Sequence, residues 1–73
     1  MMNRNEHLQW CKNRALEYVE AGELTEAFTS MISDLRKHPE TVNHPGINLG
    51  MTLLFAEKLN DYTEMKKFIQ GFN

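Results

Sequence analysis

Apolar residues in this chain recur at three- and four-residue intervals, and no segment alternates for long between apolar and polar. Such spacing lays a stripe along one side of a helix, whereas a half-buried strand needs a period of two. The pattern therefore predicts an all-α fold. Glycine and proline divide it into about four short helices, read as two hairpins in a compact bundle or orthogonal array.

The first helix is expected over residues 5–21. Asn3 and Asn5 are both suitable caps, and Gly22 suits the left-handed position beyond the last turn. At roughly 100° per residue, Leu8, Cys11, Ala15, Leu16, Tyr18 and Val19 share its core face. The second helix is expected from 24 or 25 to 37, with Leu24, Ala27, Phe28, Met31, Ile32 and Leu35 inward. Pro39 ends it by forcing His38 out of the helical region. Residues 38–45 form a connector between two prolines, after which Pro45 suits a helix start capped by Asn43 or His44.

The third helix, expected over 45–59, differs in kind. Ile47, Met51, Leu54 and Phe55 make one face, and Leu49, Leu53 and Ala56 make another. A helix apolar on nearly every side has to be covered on nearly every side, and a chain of 73 residues has little left to do it with. Gly46 and Gly50, four apart, would let a further helix approach closely. The last helix is expected over 62–70, capped by Asn60 or Asp61. Tyr62, Met65, Phe68 and Ile69 face inward, Gly71 follows, and Phe72 folds back against the end.

One domain over residues 1–73 is the expectation. Cys11 is the only cysteine, so no disulfide can form within the chain, and a lone thiol fits a reducing cytoplasm. Domains this small often draw support from self-association. The surface expected to supply it is Leu49, Leu53 and Ala56. The start of the chain carries no apolar signal region, and no stretch is long enough to span a bilayer.

The net charge is −2, with eight basic and ten acidic residues intermixed, which argues against a general nucleic-acid binder. Glu17, Glu20, Glu23 and Glu26 recur every third residue and read as a solvated hairpin tip. Cys11 with His7 one turn earlier invites a nucleophile, but a thiol midway along an apolar helix face has no free backbone donors nearby. His38, Glu40 and His44, or His7 with Cys11, fall short of a metal-ligand spacing. Residues 46–50 lack the lysine of a phosphate loop. No catalytic residue, metal or cofactor is assigned.

Trp10 is the most informative side chain. It falls opposite the core face, beside Glu6, Asn13 and Glu17, with Arg14 one turn on. Tryptophan beside arginine is a common composition at the centre of protein interfaces. The alternatives are packing within the same chain and stacking on a nucleobase, with Lys12 and Arg14 as phosphate neighbours. Trp10, Arg14 and Glu17 are the expected partner contact.

Two resemblances bear on this. Ala15-Leu16-Glu17-Tyr18, Gly22 through Ala27-Phe28, and His38-Pro39 resemble one tetratricopeptide hairpin over residues 15–39. Ala15, Tyr18, Ala27 and Pro39 stand where that repeat has small, aromatic, small and proline residues, while Arg14 replaces its leucine. The run Asp34-Leu35-Arg36-Lys37-His38-Pro39-Glu40-Thr41, the Gly50-Met51 step and the ending Phe68-Ile69-Gln70-Gly71-Phe72-Asn73 resemble short proteins of tailed bacteriophages. That resemblance implies a context, in which small phage proteins bind and redirect a host protein or block a defence, and it assigns no site. With no catalytic constellation in the residues, the expectation is a non-enzymatic helical binding protein, in the host cytoplasm if phage-encoded. A small-ligand binder is the alternative, such as a sponge for signalling nucleotides that holds anions between subunits with Lys12, Arg14, Lys66 and Lys67.

Overall fold

The computed structural model describes residues 2–73; Met1 lies outside the described residues. Four helices follow one another, α1 (Arg4–Glu20), α2 (Leu24–Leu35), α3 (Pro45–Phe55) and α4 (Tyr62–Gln70). α1 and α2 form a tight hairpin, and α4 packs against both. Met31, Leu35, Met65, Ile69 and Val19 are fully enclosed where these three helices meet. Burying each such side chain contributes roughly 1.5–3 kcal/mol before entropy is counted.

Local chemistry explains most of the boundaries. Asn3 caps α1 in a reciprocal box, accepting from the Glu6 N–H at 2.8 Å while the Glu6 carboxylate accepts from the Asn3 N–H at 3.1 Å. Asp61 caps α4 by accepting from the Glu64 N–H at 2.8 Å, and His44 caps α3. α2 stops at Leu35, two residues short of the expected end. The reason lies six residues on, where the buried Thr41 hydroxyl donates to the Leu35 carbonyl at 2.6 Å and satisfies the open helix end.

α3 also ends early, at Phe55 rather than at residue 59. The Lys58 N–H bonds back to the Leu53 carbonyl and the Glu57 N–H to Leu54, with Glu57 in the left-handed region at φ 59°. This is the same reversal that closes α1, where Gly22 has φ 78° and the Gly22 and Glu23 N–H groups reach Val19 and Tyr18. Without a glycine at 57 the stop left no mark in the sequence. Turning the chain there drops Leu59 into the core.

α3 lies against Phe28 of α2 and Phe68 of α4, and only Ile47 and Gly50 along it are buried. Its backbone comes close because Gly46 and Gly50 carry no side chain: a methyl group at Gly50 would sit 2.5 Å from the Phe68 ring and 3.0 Å from Phe28. One at Gly46 would sit 2.5 Å from Phe72. The two glycines thus receive aromatic rings of the same chain, where the spacing had suggested a further helix. Phe28, Phe68, Phe72 and His44 form a continuous row, with neighbouring ring centroids 6.0, 5.0 and 4.9 Å apart. The Cα trace measures 33 × 23 × 16 Å, so it is thin across one axis, and among the described residues Leu49, Met51, Leu54 and Phe55 of α3 stay exposed.

The two reversals make opposite predictions. Glu57→Gly is expected to stabilise the chain by about 0.5–1 kcal/mol, because glycine occupies the left-handed region without strain. Gly22→Ala is expected to cost about 1 kcal/mol. Urea denaturation monitored by circular dichroism measures both.

Candidate functional site

The residues singled out in the sequence fall in two places. The first is the corner around Trp10, where α1 meets the end of α2. Asp34 on α2 is buried, with its side chain 2% exposed. Its carboxylate accepts from Arg14 Nε at 2.7 Å, Lys37 Nζ at 3.1 Å and the Ser30 hydroxyl at 3.4 Å. Both cations are thereby drawn over the indole, the Arg14 guanidinium 4.9 Å and the Lys37 ammonium 5.7 Å from the Trp10 ring centre. The hydrogen bond from Arg14 to Asp34 raises the guanidinium pKa further above its ordinary value.

Behind Trp10, His7 is buried and stacks on both Trp10 and His38, at 5.5 and 5.0 Å. Its Nε2 lies 2.7 Å from the Asp34 carbonyl oxygen and 3.5 Å from Cys11 Sγ. Trp10 is therefore half-covered by its own chain and packs against the core. An open recess of about 250 Å³ remains between Met2, His7, Trp10, Lys37 and His38. Glu17 is exposed one turn beyond Arg14 and shares a shallow surface cleft with it. The sequence paired His7 with Cys11 as a candidate nucleophile or metal site, but did not give the burial of His7 or the role of Asp34. The available signals were His7 four residues before Cys11, and Asp34 three residues after Met31.

Cys11 is completely enclosed. Burial, reinforced by the Asp34 carboxylate, pushes its thiol up to about 11. Among the described residues, no three His, Cys, Asp or Glu side chains gather as a metal ion would need.

The second place is α3. Going around the helix, Asn48 and Thr52 form an outer polar crest, and the two apolar faces read from the sequence become its flanks. On one flank Leu49 and Leu53 overlook a groove of about 540 Å³ against α4, floored by Leu59, Phe68 and Phe72. On the other, Met51 and Phe55 are exposed, and Leu54 borders a second groove beside Leu24 and Met65. Phe55 is 85% exposed and Leu49 56%. Leu53 is half-buried and Ala56 is exposed at the helix end. Residues 45–56 hold no charged side chain.

The basic residues invoked for anion binding are engaged separately. Lys12 donates to the Gln70 carbonyl at 3.2 Å, and Arg14 is held by Asp34. Lys66 sits 3.5 Å from Glu20 and donates to the Tyr62 hydroxyl, while Lys67 lies 3.8 Å from Glu64. Tyr62 also donates to Glu20 at 2.6 Å, and this bond holds the Glu20 carboxylate below its ordinary range. The same hydroxyl raises the Lys66 ammonium above its own.

No protein-family model, curated protein or solved structure matches this chain. Among the described residues, no helix is long and apolar enough to cross a membrane.

Cys11 is expected to resist alkylation at pH 8 in the native state and to react at the rate of unfolding. Its raised pKa means that the folded chain holds a proton the unfolded chain has released between about pH 9 and 11. Stability from this group is complete below pH 9 and falls by roughly 2–3 kcal/mol as pH rises through that window. Thiol-labelling kinetics and alkaline denaturation of wild type beside Cys11→Ala check this; the alanine variant lacks that component of the loss.

Proposed function

We propose that the chain is a non-enzymatic binding module that assembles with copies of itself through α3 and occupies a surface on a host protein. The observation that carries this reading is the exposure of Phe55 and Leu49 on a helix without charge. Leu49 stands in water on one flank of the polar crest and Met51 and Phe55 on the other, and exposed apolar surface on a soluble chain commonly marks an interaction site. Leu49, Leu53 and Ala56 form one part of the self-contact, to which Met51 and Phe55 add the other flank.

Trp10, Arg14 and Glu17 serve the second contact. Arg14 and Lys37 hold the indole in place, so its open edge meets a partner without first losing rotamer freedom, and a rigid aromatic anchor of this kind contributes most to an interface. The resemblance to small phage proteins supplies the context, a host protein bound in the bacterial cytoplasm. The separate engagement of Lys12, Arg14, Lys66 and Lys67 offers no support for anion binding.

Light scattering tests the first contact. Leu49→Glu and Phe55→Glu are each expected to reduce the wild-type mass to that of a single chain, because an unpaired carboxylate would be buried at the interface. Unchanged masses would remove α3 from the proposal. For the second contact, affinity capture from bacterial lysate with Trp10→Ala beside wild type is expected to show at least a tenfold loss of the retained host protein. Equal capture would return Trp10 to a packing role.

A further inference from the structure

The two grooves beside α3 differ in the charge along their rims. The groove of about 540 Å³ has an apolar floor of Leu59, Phe68 and Phe72, and Lys58, Lys67 and Glu64 stand at its edge. Glu64 lies 3.8 Å from Lys67 and is taken up by it, so the charge left over on this rim is positive. The second groove, beyond Leu54, is edged by Glu23 and Glu26. Among the described residues, Lys58, Glu23 and Glu26 have no ion-pair partner.

Phe55 follows Leu54 on the acidic flank and is the most exposed large apolar side chain of the described residues. It lies six residues from Leu49, about 120° around the helix. The body of α3 stands between them, so the Phe55 ring cannot enter the basic-rimmed groove of its own chain. Each chain thus carries a bare ring beside an acidic rim and, across the polar crest, an open apolar groove beside a basic one.

We propose that copies of the chain associate head to tail, with Phe55 of one copy seated over Leu59, Phe68 and Phe72 of the next and Glu23 and Glu26 set against Lys58. This inference rests on the self-association through α3 and gives that contact a direction. A groove floored by two phenyl rings suits an aromatic side chain, because rings pack favourably offset or edge to face. The charges select the arrangement. A two-fold contact of the groove flank with itself would bring two basic rims together, and one of the Phe55 flank would bring two acidic rims together. Like charges facing across an interface oppose binding, whereas contact of one flank with the other joins opposite signs. Because the two surfaces differ, each chain keeps one of them free after the first contact. Association of this kind continues from copy to copy until it closes as a ring or extends as a filament.

Light scattering of the full chain over a range of concentrations tests this. The wild-type mass is expected to exceed that of two chains at the upper end. Phe55→Glu and Leu49→Glu are each expected to remain single chains. An equimolar mixture of the two is expected to form a complex of two chains, since it still holds one intact ring and one intact groove. Glu23→Lys with Glu26→Lys is expected to weaken association about tenfold, and adding Lys58→Glu and Lys67→Glu to the same chain to restore it. Both apolar positions face water in the single chain, so helix content by circular dichroism is expected to be unchanged; should either variant not fold, the charge reversals decide. A wild type that stays a single chain throughout removes the self-association, and this contact with it. A wild type that stops at two chains, a mixture that does not associate, or charge reversals without effect would overturn the head-to-tail contact alone.

Discussion

The close seating of α3 on a row of aromatic rings is the contact on which the rest of the molecule depends. Phe28, Phe68 and Phe72 come from α2, α4 and the segment after α4, and Gly46 and Gly50 let the α3 backbone rest on them. Close packing leaves no slack at such a point, because a methyl group on either glycine would overlap a ring. The aromatic row decides where α3 lies, and therefore which of its residues face water. Leu49 and Phe55 are exposed because the helix is held along the Gly46–Ile47–Gly50 line and along no other.

The polar core obeys a similar economy. Asp34 is removed from water, yet three donors meet its carboxylate and its carbonyl oxygen lies against His7. Among the described residues, no buried side-chain nitrogen or oxygen lacks a partner. A satisfied network of this kind fixes one arrangement of α1 against α2, which an apolar contact of the same area would define less sharply. Trp10 inherits that order, since the cations over its ring are the ones that neutralise Asp34.

Much of the fold was legible before the structure. The helix stripes, the Gly22 turn, the fold-back of Phe72 and one of the two candidate caps for α1 and for α4 follow from local rules, which act within a few residues. Tyr62, expected inward, is instead exposed and bonds to Glu20. The misread ends of α2 and α3 depend on something else. Thr41 reaches back six residues to Leu35, and Glu57 adopts a conformation that its residue type disfavours. The two apolar faces of α3 were visible in the sequence, but their arrangement as flanks of a polar crest depends on which side meets the aromatic row. Around Trp10, helix periodicity gave the outward position. The cations that cover the ring are drawn there by a carboxylate twenty-four residues away in the chain, which no window on one helix contains.

The bond between Arg4 and Asn73 joins the first turn of α1 to the last residue of the sequence. The path from residue 4 to residue 73 is thus nearly a closed loop, and the cost of bringing its ends together is already met by packing. Lys12 adds a second tie, to Gln70 at the last residue of α4, so a pull on the segment after α4 is shared with α1, and the two helices are loaded together instead of one fraying alone.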